Sequence, residues 1–314
     1  MVRDDQEPSV TVMLVTHNSS QHLPSLWKDL DAQTGKNIDV LVIDNASSDR
    51  SLEFVREHPL KMAIRTLPQA ENLGVAGAWN TGLKEVSTDW VLLISPDCRF
   101  PADLVAGLVR RAGSAAKAAG CKVQVGGVTP QLFWRGGPGA PKSWPPHFRP
   151  RQKGFPQGVS ESGETFGYHG ACALLSVRML KELGGFDTNL FFGGDEADTA
   201  LRAHLKGWRF FEAPDLSVEH PYEVRPGSKS GRVLLLRTTS FWYFLLKHVG
   251  ITLKWGTFPK EMIDHLFWQR HLESPGFLFS ELAWFVRKSQ DIRAARAEMW
   301  KQWTERVDAR SPAQ

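Results

Sequence analysis

Three acidic residues stand within four positions of one another: Asp195, Glu196 and Asp198. The dipole of a helix favours acids in its first turn, so a helix N-terminus explains the group without any chemistry. Crowding also raises the pKa of at least one carboxyl group, which suits a general base that removes a proton from a hydroxyl. The residues alone leave both interpretations open.

Two further groups follow apolar segments. Asp44 comes directly after one of them, and its carboxylate either forms a turn and a helix cap or accepts hydrogen bonds from a base or a ribose. The stretch 72–82 is rich in small residues, which permit close approach of the backbone to a phosphate at a helix N-terminus or to a packed sheet. It is not a dinucleotide-binding fingerprint, because that motif follows the first strand directly.

Ser95 and Asp97 follow the apolar run Val91–Ile94. A lone carboxylate at a strand end is usually a solvated turn residue. It becomes a ligand for a hard cation when diphosphate oxygens and a second protein ligand lie nearby. His220 is isolated in the sequence, which favours a structural or exposed histidine, although a neutral imidazole also binds divalent metals.

Strands and helices that alternate along the chain are predicted to position these side chains. Strands are predicted at Val10–Val15, Val40–Ile43, Met62–Leu67, Trp90–Ile94, Ala171–Val177 and Trp208–Glu212. Helices are predicted at Leu23–Leu30, from Ser48 or Asp49 to Glu57, at Gly74–Val86, from Pro101 to about Gly113, and at Asp195–Lys206. This order predicts an α/β fold with a mainly parallel sheet and helices on both faces, which binds ligands at the carboxyl edge.

The charge of the chain is unevenly distributed. The net charge is +4 over 314 residues, yet residues 104–160 carry nine basic side chains and no acid. Residues 135–160, which are rich in proline and glycine, are predicted to form a long surface loop. An anionic substrate, an anionic membrane or a nucleic acid would suit this excess, but we expect no nucleic acid because the chain has no known binding motif for one.

Composition excludes several classes of protein. Three cysteines without C-x-x-C spacing imply neither a disulfide framework nor a structural zinc site, which favours the cytoplasm. The first ten residues lack the apolar core of a secretory signal. No apolar run approaches the roughly 18–20 residues that span a bilayer.

The order and spacing of the motifs together resemble the nucleotide-sugar glycosyltransferases of family 2, which have a GT-A fold, and most closely their rhamnosyltransferase-like branch. The matching stretches are VTVMLVTHNSS, VLVIDNASSD, NLGVAGAWNTGL, WVLLISPD, SVEH and the run from YHGACALL to LKGWRF. They cover about residues 10–222. The resemblance weakens over the loop 135–160 and beyond residue 250.

The resemblance implies roles for particular residues. Asp97 matches the last aspartate of the family's metal-binding motif, and His220 matches a histidine that often completes the site for Mg²⁺ or Mn²⁺. Asp195 and Glu196 match the acidic pair that supplies the base. Glu196 takes the base's position, and Asp195 could serve instead after a small shift. Ser95 stands where the branch often has asparagine. The nucleotide, ribose and diphosphate would be bound by Thr16, Asn18, Asp44, Asn72, Gly74, Asn80, Ser95 and Asp97.

The implied activity is inverting transfer of a sugar from a nucleoside-diphosphate donor, UDP-hexose or dTDP-rhamnose, to an acceptor hydroxyl. The expected acceptor is a cell-envelope glycan or glycolipid, with a small natural product as the alternative. A rival of another class is a non-catalytic nucleotide-sugar-binding module. Residues 1–228 would form the GT-A domain and residues 229–314 a C-terminal helical region.

Residues 229–314 carry 14 basic and 8 acidic side chains together with many aromatic ones. They are expected to pack on the catalytic domain or on a second subunit of a homodimer. The alternative is peripheral docking on the inner face of an anionic membrane, where tryptophan and basic side chains favour the interface. Flotation with anionic liposomes at low salt tests the docking hypothesis, and a protein that stays at the bottom of the gradient would contradict it.

Overall fold

The computed structural model describes residues 8–118, 123–135, 159–191 and 193–221, together with a few single residues of the C-terminal region. Most of the predicted surface loop 135–160 lies outside the described residues. The same is true of nearly all of the predicted helical region 229–314.

In the described part of the chain, eight strands form one mixed sheet in the order β3-β2-β1-β4-β7-β5-β8-β6. Strand β1 lies between β2 and β4 and is parallel to both, and β5 is parallel to β8. Strand β7 is antiparallel to its two neighbours, β4 and β5. The strands are β1 (Val10–Thr16), β2 (Ile38–Asp44), β3 (Ile64–Pro68), β4 (Trp90–Ile94), β5 (Gln124–Arg135), β6 (Glu164–Thr165), β7 (Cys172–Ser176) and β8 (Trp208–Pro221).

Helices cover both faces of this sheet, as the sequence predicts. On one face, Val12 and Leu14 of β1 belong to a buried apolar cluster that also contains Leu26 and Leu104. On the other face, a Cβ atom at Gly82 would lie 2.9 Å from Cδ1 of Ile43, so a helix packs closely there. The helices are α1 (Leu23–Asp31), α2 (Ser51–Glu57), α3 (Gly74–Lys84), α4 (Leu104–Ala118), α5 (Val177–Glu182) and α6 (Asp195–Leu205).

Several elements differ from the sequence prediction: β6 and α5 were not predicted, and Val177, which was predicted to end a strand, begins α5. Strand β5 was not predicted, because glycine and proline within QVGGVTPQLFWR weaken the strand pattern. A Cβ atom at Gly127 would lie 2.9 Å from the carbonyl oxygen of Leu174, so β5 needs glycine to pair closely with β7. Strand β8 continues past the predicted end at Glu212 to Pro221, and helix α4 continues past Gly113 to Ala118.

The chain divides into two compact units, residues 1–188 with 195–223 and residues 189–194 with 224–314. The predicted domain boundary at 228 and 229 falls outside the described residues and stays a prediction. Among the described residues, the structure has no helix that is both long and apolar enough to cross a membrane.

The turns that follow β1 and β2 are tied together by Asp49, which precedes α2. Its carboxylate accepts hydrogen bonds from the hydroxyl of Ser51 at 2.5 Å and from the backbone N–H of Ser20 at 3.0 Å. Burial raises the pKa of Asp49, but the hydrogen bonds from Ser51 and Ser20 outweigh that effect and lower the pKa from 3.8 to about 2. The folded protein therefore favours the ionised form more than the unfolded chain does.

We expect Asp49→Asn to lower the free energy of unfolding at neutral pH by about 1 kcal/mol, because solvent screens part of the effect at this exposed site. The stabilisation by ionised Asp49 is complete above pH 3.8 and is lost as the pH falls through about 2. The melting temperatures of the native protein and of the Asp49→Asn variant should therefore converge in acid. Asp103→Asn is the control, because the Asp103 side chain makes no hydrogen bond in the described part of the chain. A difference in melting temperature between the native protein and Asp49→Asn that stays the same at all pH values would contradict the prediction.

Candidate active site

Asp44, the last residue of β2, lies at the carboxyl edge of the sheet and is 3% exposed. Its Oδ1 atom accepts hydrogen bonds from the hydroxyls of Thr16, at 2.8 Å, and Ser47, at 2.6 Å. Its Oδ2 atom accepts one from the backbone N–H of Ser47 at 3.1 Å. These contacts fix the carboxylate, and they join the predicted residues Thr16 and Asp44 in one cluster.

Asn18 lies in the turn after β1. Its φ of 51° is in the left-handed region that asparagine tolerates. Its side-chain oxygen accepts hydrogen bonds from the backbone N–H groups of Ser48, at 2.8 Å, and Asp49, at 3.3 Å. Asn18 therefore holds together the two turns that border Asp44. A direct role in nucleotide binding stays a prediction.

Asn45 is a residue of this edge that the sequence analysis did not select. It is 2% exposed, and its side chain donates to Oδ1 of Asn72 at 2.8 Å and to the carbonyl of Gly74 at 3.2 Å. Its oxygen accepts a hydrogen bond from the backbone N–H of Leu73 at 2.9 Å. Asn45 thus binds the start of α3 to the end of β2, and its place directly after Asp44 was the only sequence signal.

Asn80, in the middle of α3, makes two hydrogen bonds with the backbone of Phe186, one from its N–H and one to its carbonyl, each 2.8 Å long. Gly185 is in contact with the same side chain, and a Cβ atom there would clash with it. Arg202 of α6 donates to the carbonyl of Gly185 at 2.9 Å and is paired with Asp198 at 2.7 Å. Asn80 therefore holds Phe186 in place, and Asp198 acts on Gly185 through Arg202.

Asp97 and His220 are 123 positions apart in the sequence but meet in the structure. Oδ1 of Asp97 lies 3.4 Å from Nε2 of His220, and the Asp97 side chain is 1% exposed. Nδ1 of His220 lies 3.1 Å from the carbonyl oxygen of Pro221, which can only accept a hydrogen bond. The other predicted residue here, Ser95, joins the turn to the sheet by donating its backbone N–H to the carbonyl of Ala171 at 2.8 Å.

This arrangement fits a divalent cation. With its Nδ1 proton donated to Pro221, a neutral imidazole presents the lone pair of Nε2 towards the carboxylate of Asp97. Two lone pairs that face each other at this distance favour a proton or a metal ion between them. A carboxylate and an imidazole would thus hold the ion, and its remaining positions are available to other oxygen ligands.

Arg99 determines where Asp97 and His220 lie. Its backbone exchanges two hydrogen bonds of 2.8 Å with Glu219, which directly precedes His220. Its guanidinium group forms a bidentate pair with Asp29 of α1, at 2.6 and 2.9 Å. The same carboxylate accepts a hydrogen bond from the backbone N–H of Phe100 at 3.2 Å. One ion pair therefore supports the contact between the turn after β4 and the end of β8.

Asp195 and Glu196 form the first turn of α6. Asp195 is 5% exposed, and its pKa is raised well above the ordinary 3.8 by burial, and further by the charge of Glu196. Tyr168 is also buried, and burial and the charge of Asp195 raise the pKa of its hydroxyl. The pKa shift expected for crowded acids in this sequence therefore affects Asp195.

Glycine brings the acidic pair to the sheet edge. A Cβ atom at Gly170 would lie 3.0 Å from Oε1 of Glu196 and 3.1 Å from its Cγ, so the side chain of Glu196 packs directly on this glycine. The next residue, Ala171, accepts the hydrogen bond from Ser95 in the turn that carries Asp97. Only Gly170 and Ala171 therefore separate Glu196 from the turn that carries Asp97.

The sequence model of the family described as "Glycosyl transferase family 2" matches residues 11–184, more than half of the chain. The chain belongs to this family. The matched range includes Asp44, Asp97 and Gly170 but not α6 or His220.

Similarity to curated relatives extends further along the chain. The N-acetylglucosaminyl-diphospho-decaprenol L-rhamnosyltransferase of Mycobacterium tuberculosis is 25% identical over 265 residues, which are 76% of this chain and 85% of that protein. The resemblance to the rhamnosyltransferase-like branch is therefore confirmed. The dolichol-phosphate mannosyltransferase of Pyrococcus furiosus is 28% identical over 101 residues, and that match covers only 29% of its own length.

The fold is that of a solved mannosyltransferase from Pyrobaculum calidifontis, which is in complex with GDP-Man and Mn²⁺. The TM-score is 0.56 with 18% sequence identity, over 98% of this chain and 89% of that one. The predicted α/β GT-A architecture is confirmed.

We expect Asp29→Ala to reduce the free energy of unfolding by about 2–3 kcal/mol, because it leaves the guanidinium of Arg99 and the N–H of Phe100 without their carboxylate. Urea denaturation measures the loss. The matched control on the same helix is Asp31→Ala. Its carboxylate pairs with the exposed ammonium of Lys61 at 3.7 Å and accepts an exposed hydrogen bond from the N–H of Lys61 at 2.9 Å, so we expect a loss of about 1 kcal/mol or less. If both variants lose the same free energy of unfolding, the partly buried pair of Arg99 and Asp29 contributes no more stability than an exposed pair, which would contradict the prediction.

Proposed function

We propose that this protein is an inverting, divalent-metal-dependent hexosyltransferase. It would move a sugar from a nucleoside-diphosphate donor, UDP-hexose or dTDP-rhamnose, to an acceptor hydroxyl of a cell-envelope glycan or glycolipid. The observation that carries the proposal is that Asp97, in the turn after β4, meets His220, at the end of β8, with 3.4 Å between Oδ1 and Nε2. Only Gly170 and Ala171 separate that turn from Glu196. A cation ligand set and a carboxylate base are the two requirements of this reaction.

The donor would bind at the carboxyl ends of β1, β2 and β4. These strands are parallel neighbours, with Leu14 opposite Ile94 and Thr16 opposite Asp44, so the residues that follow them share one edge. The fixed carboxylate of Asp44 would accept hydrogen bonds from the base or the ribose. Asn45 holds Asn72 and Gly74 beside it, where the start of α3 would face the diphosphate.

Asp97 and His220 would hold the metal ion. When bound, a divalent cation would neutralise the negative charge that develops on the leaving diphosphate. Mg²⁺ and Mn²⁺ both suit a carboxylate. The imidazole of His220 favours Mn²⁺, because Mg²⁺ prefers oxygen ligands and binds nitrogen poorly. The Mn²⁺ of the Pyrobaculum calidifontis enzyme is consistent with this choice.

Glu196 would act as the base that removes the proton from the acceptor hydroxyl. The raised pKa of Asp195 means that this neighbour retains a proton to higher pH than an ordinary aspartate does. A neutral Asp195 beside Glu196 lowers the repulsion against an ionised Glu196. One base suffices, because attack opposite the leaving group inverts the anomeric carbon without a covalent intermediate on the protein.

The acceptor class rests on the relatives. The Mycobacterium tuberculosis relative is named for a decaprenol diphosphate and the Pyrococcus furiosus relative for dolichol phosphate, both of them lipid carriers. A lipid-linked acceptor would bring the enzyme to a membrane surface. The basic and aromatic residues of 229–314 would suit that contact, and a homodimer through the same region is the alternative.

A thermal-shift screen of nucleotide sugars with Mn²⁺ identifies the donor, because at equal concentration a ligand with a lower Kd stabilises the native state more. We expect the matching nucleotide sugar to raise the melting temperature of the native protein, and chelation to remove most of that increase. We expect Asp97→Ala to lose the metal-dependent part of the stabilisation.

Transfer assays with the identified donor test the two roles separately. Glu196→Gln should bind the donor and metal like the native protein but transfer about 10²- to 10⁴-fold more slowly, the usual contribution of a general base. Asp103→Asn is a control for the loss of a surface charge. Full activity of both Asp97→Ala and Glu196→Gln in excess chelator would refute the proposal. Binding of the sugar nucleotide without any transfer by the native protein would favour a non-catalytic module.

A further inference from the structure

Cys98 directly follows Asp97 and lies within the same cluster. The sulfur of Cys98, a carboxylate oxygen of Asp97 and a ring nitrogen of His220 all lie within 4.8 Å of one another. Cys98 is fully buried, and its Sγ atom donates to the carbonyl of Ala171 at 3.4 Å. Neither the metal requirement of sugar transfer nor the resemblance accounts for a thiol at this position.

The backbone keeps these three side chains together. The N–H of Cys98 donates to the carbonyl of Ser95 at 3.1 Å, which closes the turn after β4. The paired hydrogen bonds between Arg99 and Glu219 hold that turn against the end of β8, next to His220. The cluster is therefore largely formed before any ion arrives, and an ion that binds there does not need to order a flexible segment.

The distances suit a small tetrahedral ion. Zinc binds nitrogen at about 2.0–2.1 Å and sulfur at about 2.3 Å, so two ligand atoms of one zinc ion lie roughly 3.5 Å apart. Asp97 and His220 are already at 3.4 Å, and the largest separation in the cluster, at most 4.8 Å, exceeds the zinc value by about 1 Å. Rotation about side-chain torsions can close such a gap.

The donor set favours thiophilic ions over the hard ones. Thiolate sulfur selects Zn²⁺ and similar soft or borderline ions, whereas Mg²⁺ takes oxygen ligands. Zinc also binds mixed nitrogen and oxygen sites more tightly than Mn²⁺ does. We propose that Asp97, Cys98 and His220 form a binding site for a thiophilic divalent ion such as Zn²⁺, which displaces Mn²⁺ from Asp97 and His220.

On binding, the thiol of Cys98 releases its proton to solvent, the hydrogen bond to Ala171 breaks, and a metal–sulfur bond forms. No electron is transferred. Three protein ligands leave one tetrahedral position for water or a phosphate oxygen, so the site is open rather than closed. Zinc binding itself is independent of the proposed sugar transfer, whereas inhibition of transfer by displacement of Mn²⁺ rests on that function.

The test is a Co²⁺ titration of the full-length protein without nucleotide or sugar. Tetrahedral Co²⁺ bound to a thiolate gives a charge-transfer band in the near ultraviolet. We expect this band in the native protein and in Cys172→Ser, which removes another buried cysteine, in strand β7. We expect Cys98→Ser to lose the band and to bind Zn²⁺ at least 10-fold more weakly, since even changes to groups that only orient ligands cost about 10- to 100-fold.

Two further variants retain the thiol and so test the site even if Cys98→Ser fails to fold. Asp97→Asn and His220→Gln should each weaken the cobalt band, which would place all three ligands on one ion. In the native protein, one equivalent of Zn²⁺ should release bound Mn²⁺, seen as recovery of the electron paramagnetic resonance signal of free Mn²⁺.

A band of equal strength in a folded Cys98→Ser variant, or the absence of any cobalt band in the native protein, would overturn the site. Mn²⁺ that stays bound in the presence of zinc would overturn the displacement. None of these results depends on sugar transfer. A protein that binds zinc in this way but transfers no sugar would refute the proposed function alone.

Discussion

The pair of backbone hydrogen bonds between Arg99 and Glu219 is the contact on which the candidate site depends. It joins the turn after β4 to the end of β8 and so brings Asp97 to within 3.4 Å of His220. The bidentate ion pair between Arg99 and Asp29 supports this contact from α1. A partly buried pair of this kind contributes less through net attraction than through the cost of leaving either charge without its partner. The contact between Asp97 and His220 therefore depends on helix α1, which contributes neither residue.

A second constraint is steric and concerns the acidic pair. Helix α6 approaches the segment before β7 closely, because Gly167 and Gly170 present no side chains to it: Cβ atoms there would lie 3.0 Å from Cβ of Ala200 and from Oε1 of Glu196. This close packing also buries Asp195. Its pKa is raised because the ionised carboxylate loses contact with water and lies next to the charge of Glu196. Carboxyl groups with strongly shifted pKa values are common in active sites, so the raised pKa of Asp195 is consistent with the proposed role of Glu196 as the base.

Much of the carboxyl edge could be predicted from local pattern. Strands β1, β2 and β4 are short, continuous apolar runs, and Asp44 and Asp97 follow two of them, so their placement needed only strand periodicity and the rule for parallel sheets. Strand β5 escaped prediction because Gly126, Gly127 and Pro130 are unfavourable in an isolated strand pattern, and only the close approach of β7 explains the glycines. The roles of Asn45 and Arg99 were missed for a related reason, since their partners lie 27 to 120 positions away.

The amino-acid sequence by itself determined the fold class, most of the elements and the residue types available for chemistry, because periodicity and spacing are properties of neighbouring residues. The family was indicated by the resemblance of its motifs and is confirmed by the family model. Only the tertiary structure decided that His220 faces Asp97, that Cys98 lies beside both of them, and that Asn80 and Arg202 hold Gly185 and Phe186. The physical reason is that ligand geometry and pKa depend on distances of a few ångströms between distant segments, and strand pairing and helix packing set those distances.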